Sequence, residues 1–356
     1  VTHGPAGSPP GVDVPGLTRW LEDAHPELAH APLTATVIAG GRSNLTYRVD
    51  GARMPLVLRR PPLGHVLASA HDMRREHRII SALAGSAVPV PPAIAFVDDT
   101  DADRVTGTPF FVMALVEGRV LAHPSQNRHY RPAGLHHLGI ELAQTLADLH
   151  AIDPASIGLA DFGRPEGYLE RQLRTWRRQY DASRSRELPR LDALQDALGE
   201  RMPASQRSGL VHGDYRLDNA LVGDDDDGPR IAAILDWEMS TIGDPLVDLG
   251  MFGLYWTIAD LPGALGLMPS AVDTSAGYPS FDELVDAYAA REGTSVPDLG
   301  WYRAFAAYKL AVIAEGIHLR WQAGETVGEG FDRIGALVDP LAGEGIARLY
   351  SSTGRH

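Results

Sequence analysis

Two short stretches concentrate groups able to bind a cation or take a proton. The first is His212-Gly213-Asp214-Tyr215-Arg216-Leu217-Asp218-Asn219, which follows the apolar Leu210-Val211. The second is Asp236-Trp237-Glu238, which follows the β-prone run Ile231 to Leu235. Carboxylate and amide oxygens are the donors that a hard cation such as Mg²⁺ prefers, and a carboxylate beside a hydroxyl can accept its proton. Taken singly, His212 and Asp214 read equally well as hydrogen-bonding loop residues, and Asp236 as a strand-end cap. A metal-dependent hydrolase using His212, Asp214, Asp236 and Glu238 is a further alternative. It is the weaker one, because hydrolytic metal centres draw on several histidines and this cluster holds one.

The order and spacing of the two stretches carry more information than either half. His212-x-Asp214-x-x-x-x-Asn219 matches the catalytic loop H-x-D-x-x-x-x-N of kinases, with Gly213 where protein kinases carry arginine. The His-Gly-Asp form followed by Asp-Trp-Glu resembles the aminoglycoside phosphotransferase and choline kinase-like family. The resemblance implies ATP and Mg²⁺ as cofactors, Asp214 as the base that takes the proton of a small-molecule hydroxyl acceptor, and Asn219 and Asp236 as magnesium ligands. It implies an α+β, bilobal protein-kinase-like fold: a small antiparallel N-terminal sheet with one main helix, then a larger, mostly helical lobe.

Further parts of such a site can be matched one at a time. Gly40 to Tyr47 lies where the family has its phosphate-covering loop, so Gly41, Ser43 and Asn44 become phosphate-binding candidates. Leu56-Val57-Leu58-Arg59 resembles V-A-I-K with arginine in the lysine position, and Arg60 is its neighbour. An arginine can neutralise phosphates and grip a carboxylate, with Glu76 the candidate partner, but its geometry differs from that of lysine. That departure keeps open a catalytically weak nucleotide-binding module. Phe110 to Gly118 resembles the hinge strand against which adenine lies, giving Met113, Ala114 and Val116. Gly243 to Leu249 resembles the segment after the metal aspartate, where Asp248 is expected to bond back to the catalytic loop. Val57 to Pro62 and Ser69 to Asp72 look most like the subgroup fused to acyl-CoA dehydrogenase domains, which points to a hydroxy acid or hydroxyacyl-CoA acceptor rather than an aminoglycoside. Arg171, Arg174, Arg177 and Arg178 form a basic patch that either serves such an acceptor or is a solvated helix face.

Elements positioning these residues follow from apolar spacing. Strands are expected at Thr34 to Ile38, Leu45 to Val49, Pro55 to Leu58, Pro89 to Val97 and Pro109 to Val116, with a helix over Ala70 to Leu83. After Gly118 the spacing turns helical: Ala133 to Leu149, Glu166 to Tyr180, Pro189 to Arg201, Pro245 to Tyr255, Phe281 to Arg291 and Trp301 to Gln322. Two short β-runs, Gly209 to Val211 and Ile231 to Leu235, interrupt them. This texture divides the chain into a leader (1–16), an N-terminal nucleotide-binding domain (17–117) and a helical domain (118–356). Asp224 to Asp227, ending in Gly228-Pro229, reads as a solvated hairpin tip, since a calcium loop would need alternating ligands and a distal glutamate.

Composition narrows the partners. With 46 acidic against 32 basic residues and a formal charge of −14, the chain lacks the basic footprint that nucleic acid requires. No apolar stretch suggests a membrane span, and no cysteine is present for disulfides or thiolate chemistry. Gly and Pro dominate the first sixteen residues without an apolar core, so they read as a disordered leader, and the cytoplasm is the default location. Among the 32 basic residues only Lys309 is lysine. Its place in a late amphipathic helix sets it aside as the phosphate-binding lysine and leaves Arg59.

Overall fold

The computed structural model describes residues 8–39, 44–63, 72–100, 104–226, 228–262, 264, 267–325 and 330–351. The chain divides into two compact units, Val1–Glu117 with Ala232–Glu238, and Gly118–Ile231 with Met239–His356. The second unit is thus not the continuous stretch from 118 onward expected from composition, because residues 232–238 group with the first.

The first unit contains α1 (Val14–Ala24), β1 (Thr34–Ala39), β2 (Leu45–Asp50), β3 (Leu56–Arg60), α2 (Met73–Leu83), β4 (Ala93–Val97) and β5 (Phe110–Ala114). Among the described residues the strands form one antiparallel sheet in the order β1-β2-β3-β5-β4. Side chains alternate across it. Leu56, Leu58, Phe110 and Val112 join Leu17 and Leu21 of α1 in one apolar cluster, with Tyr47 and Val49 of β2. Val57, Arg59 and Phe111 occupy alternate positions of the same strands, and α2 packs there, its His77 ring 6.0 Å from that of Phe111. Asp72 caps α2 by accepting the Arg75 N–H at 3.0 Å. Val12 and Val14 are buried in the α1 cluster, so the end of the segment read as a leader belongs to the core. Residues 1–7 lie outside the described residues.

The second unit is built on α3 (Pro132–Ala151), α4 (Tyr168–Ser183), α5 (Pro189–Glu200), α6 (Leu246–Trp256), α7 (Phe281–Glu292), α8 (Gly300–Gln322), α9 (Phe331–Ile334) and α10 (Val338–Tyr350). Its core helix is α8, buried almost continuously from Trp301 to Val312. Between α5 and α6 run β6 (Gly209–Val211), β7 (Ala220–Asp225), β8 (Gly228–Ile234) and β9 (Thr241–Gly243), paired β6 with β9 and β7 with β8. β7, β9, α9 and α10 were not expected. Three residues are too few for β9 to show a period, and α10 carries Pro340, Gly343 and Gly345, which weaken its helical signature. Gly345 has a packing reason, since a Cβ there would lie 2.5 Å from Leu194 of α5. Among the described residues no helix is long and apolar enough to cross a membrane.

Candidate functional site

In the first unit the sheet and α2 bring four charged side chains and an amide together. The buried stripe of α2 is Met73, Glu76, Ile79, Ile80 and Leu83, so Glu76 replaces an apolar residue on a core-facing helix side and is 1% exposed. Arg59 reaches it from β3. Its Nε lies 3.1 Å from Glu76 Oε1, one terminal nitrogen donates to Asp236 Oδ1 at 2.7 Å, and Glu238 Oε2 is 4.0 Å away. Arg60, one residue on, points to the opposite face and donates to the Gly11 and Thr106 carbonyls. Strand alternation therefore selects Arg59 over its neighbour. Asn44 donates through Nδ2 to Glu76 Oε2 at 3.3 Å and to Glu238 Oε2 at 3.2 Å, so its amide hydrogens serve carboxylates. Its Oδ1 is buried with no hydrogen-bond partner among the described residues. Gly41 and Ser43, the other two loop candidates, lie outside the described residues.

Asp236 has φ +65°, the one positive value at a non-glycine residue among those described. Aspartate is one of the few side chains that tolerate this region, and such backbone concentrates at functional sites. The conformation is held locally. Ile234 N–H donates to Pro89 O at 2.8 Å, and the buried Trp237 indole donates to Ile234 O at 3.0 Å.

One cation faces three carboxylates here, and the two partners of the Arg59–Glu76 pair respond differently. Burial opposes the Arg59 charge, but Glu76, Asp236 and Glu238 outweigh it and keep the guanidinium protonated. For Glu76 burial dominates, Arg59 only partly offsets it, and Asp236 and Glu238 add to it, pushing the carboxyl from 4.5 up to about 7. A raised carboxyl stabilises the fold fully below its ordinary value and loses that contribution as the pH rises through about 7. Glu76→Gln, which keeps an acceptor for Arg59, is therefore expected to gain thermal stability relative to the parent between pH 5 and pH 8, in metal-free buffer. A melting-temperature difference that stays flat across that range, or runs the other way, contradicts this.

In the second unit β6 delivers the loop that follows Val211. His212 is fully buried, its ring packed edge-on against Tyr215 at 5.6 Å, and its Nδ1 accepts the Asp214 N–H at 3.3 Å. Asp248 of α6 accepts the His212 N–H at 2.6 Å and the Gly213 N–H at 2.8 Å, the return bond expected from the sequence. Burial would raise the Asp248 carboxyl, but the 3.2 Å contact with His150 and the neighbouring His212 hold it below the usual range. Gly213 has φ +89°, and a Cβ there would lie 2.8 Å from both Cβ and O of Met239. That is why glycine stands in this position.

The anchored loop presents Asp214 with its side chain 20% exposed. Asn219, from the short 3₁₀ turn Leu217–Asn219, donates to Asp214 O at 2.8 Å and Oδ2 at 3.0 Å. Both bonds use Nδ2, which leaves the amide oxygen as the remaining acceptor. Arg216 Nε lies 3.3 Å from Asp214 Oδ2, and the guanidinium stacks 4.7 Å above the Tyr255 ring. Neither Arg216 nor Lys309 was singled out for this loop from the sequence. Arg216 stands two residues after Asp214 and was available to inspection; Lys309 lies 96 residues beyond Gly213, and only the packing of α8 brings its ammonium within 2.8 Å of Gly213 O.

Met113 and Ala114 sit at the end of β5 and are buried, with Val116 just beyond. The Ala114 and Leu115 N–H groups donate to Pro92 O and Pro55 O, fixing the strand end. Half of the arginine patch on α4 is committed to backbone carbonyls. Arg171 donates to the Glu166 and Arg164 carbonyls and Arg177 to Gln195 O, while Arg174 and Arg178 are exposed.

Comparison with known proteins places these features. A family model described as the phosphotransferase enzyme family matches residues 34–305. Acyl-CoA dehydrogenase family member 11 of Gallus gallus is 33% identical over 363 residues, covering 97% of this chain and 45% of that protein. The chain thus spans less than half the length of that relative. A crystal structure of a Ralstonia eutropha protein assigned to the aminoglycoside phosphotransferases superposes with a TM-score of 0.81 at 31% identity, over 95% of this chain and 98% of that one. The GDP complex of aminoglycoside 2'-phosphotransferase-IIIa, at 17% identity and TM-score 0.60 over 94% and 99%, shares the fold. The fold is α+β and protein-kinase-like, as the motifs implied. With the family model covering most of its length, the chain belongs to the phosphotransferase enzyme family.

Proposed function

We propose that the chain is an ATP-dependent kinase that transfers the γ-phosphoryl group to a hydroxyl of a small molecule, with a hydroxy acid or hydroxyacyl-CoA as the acceptor class. The observation that carries this reading is the preorganised Asp214. Its loop is pinned by Asp248, and its carboxylate is held by Asn219 and Arg216 yet remains open to solvent. Phosphoryl transfer asks the protein mainly to position groups and neutralise charge, and a rigid loop ending in an accessible carboxylate suits that task.

In this mechanism Asp214 takes the acceptor proton as the acceptor oxygen bonds to the γ-phosphorus and the bond to the departing ADP oxygen breaks. Arg59, held by Glu76, supplies positive charge to the phosphates in place of a lysine. Met113, Ala114 and Val116 line the base; Gly41 and Ser43 remain the loop candidates for the phosphates, whereas the Asn44 side chain, whose amide hydrogens serve Glu76 and Glu238, orders those carboxylates instead. Asn219 and Asp236 are the residues we assign to magnesium. Their donor set fits: each offers a hard oxygen, and magnesium is commonly held by one or two protein oxygens together with phosphates and water. When bound, the metal offsets charge on the phosphate oxygens.

The acceptor class rests on relatives named as acyl-CoA dehydrogenase family members, whose remaining length lies outside this match. An aminoglycoside is the rival acceptor, motivated by the net charge of −14, which attracts polycations. The test is an ADP-release screen with Mg-ATP over hydroxyacyl-CoA esters, hydroxy acids, sugars, choline-like alcohols and aminoglycosides. Turnover with the acyl series supports the proposal. Turnover confined to aminoglycosides replaces the acceptor class, and tight ATP binding without turnover on any hydroxyl favours a binding module instead.

A further inference from the structure

In a chain that uses arginine at every other basic position, one lysine survives, and it is buried. Lys309 lies in the middle of α8, 6% exposed, between the buried Tyr308 and Leu310. Its ammonium sits 5.4 Å above the Trp176 ring of α4 and donates to Gly213 O at 2.8 Å. That carbonyl belongs to the peptide joining Gly213 to Asp214. The other end of the same peptide, the Asp214 N–H, donates to His212 Nδ1. With Asp248 holding the two preceding N–H groups, the backbone from His212 to Asp214 is fixed from three directions.

The chemistry at this position suits lysine. A single carbonyl and an aromatic face can satisfy a compact ammonium, whereas a guanidinium brings five donors in a rigid fork. Burial disfavours the charge and lowers the lysine pKa, while the carboxylates of Asp214 and Asp248 act in the opposite sense. A buried ammonium is expensive unless its surroundings need it. Here the carbonyl of a glycine at φ +89° needs a donor, because a rotated peptide at that point would re-aim the carboxylate one residue on.

We propose that Lys309 is a positioning residue for phosphoryl transfer: its ammonium locks the Gly213–Asp214 peptide and so aims the Asp214 carboxylate at the acceptor. This rests on the reading of Asp214 as the base. Lys309 touches neither acceptor nor nucleotide in this role, and acts only through the loop.

The test uses the full chain with Lys309→Met, a side chain of similar length without the charge. Two readouts are taken beside the melting temperature: steady-state ADP release from Mg-ATP with water as the acceptor, and amide hydrogen exchange of peptides covering residues 210–219. The expected result is a fall in kcat on the order of 10- to 100-fold with KM for ATP nearly unchanged, as misaiming by about 1 Å produces. Exchange is expected to rise in residues 212–214 and not in α8. Wild-type kcat together with wild-type exchange in the loop overturns the proposal. So does a loss of activity in which exchange rises equally through α8 and the melting temperature collapses, since that is a packing role. If the parent chain releases no ADP with water or with any hydroxyl compound of the acceptor screen, the kinase reading fails. The exchange data still decide whether Lys309 locks the loop.

Discussion

Asp214→Asn is expected to lower kcat by about 10²- to 10⁴-fold on whichever acceptor the screen returns, the contribution typical of a positioned general base. Asparagine preserves size and an oxygen that can still accept from Asn219 Nδ2, so the loop geometry survives. What disappears is the capacity to take the acceptor proton. The backbone of the loop depends on Asp248, Lys309 and His212 and not on this carboxylate, so stability should change little. The effect should therefore appear in kcat and leave KM for ATP within about twofold, the pattern of an interaction made only in the transition state. Asp214→Asn retaining more than about a tenth of parental kcat would remove the carboxylate from the mechanism.

Arg59→Met should destabilise the fold by about 3–5 kcal/mol at pH 8, the loss typical of removing one partner from a buried ion pair. Glu76 is 1% exposed and retains Asp236 and Glu238 as like-charged neighbours once the guanidinium is gone. Its carboxyl, already pushed to about 7 with Arg59 present, then rises further, and the variant can relieve the strain by binding a proton. The destabilisation should accordingly shrink at pH 5 and be partly reversed by Arg59→Met/Glu76→Gln. Urea unfolding at both pH values measures this. A loss below about 1 kcal/mol at pH 8, or one that ignores pH, would show that the pair behaves as an exposed one.

The two motif stretches and the third-strand arginine were legible because each combines residue identity with spacing along the chain. Helices over 189–200 and 281–292 were legible because an apolar period survives in them; the helix over 300–322 is where it was expected but is buried nearly all round rather than amphipathic. β9 and α10 were not, one for its length and the other for its Pro and Gly content. Glu76 shows a signal that can be found in advance, a carboxylate at a stripe position between Met73 and Ile79. Lys309 offers none, because α8 is buried nearly all round and its sequence does not announce which neighbour any side chain meets.

Local order along the chain thus settled the reaction family and nominated most of the site, since motif spacing and the period of a strand or helix are properties of contiguous residues. Choosing Arg59 over Arg60, assigning both Asn44 amide hydrogens to carboxylates, grouping residues 232–238 with the first unit and bringing the single lysine to the Gly213 carbonyl all required the folded chain. These depend on which face of a strand or helix is covered and by what, and contacts between residues far apart in sequence leave no periodic trace for a one-dimensional reading to detect.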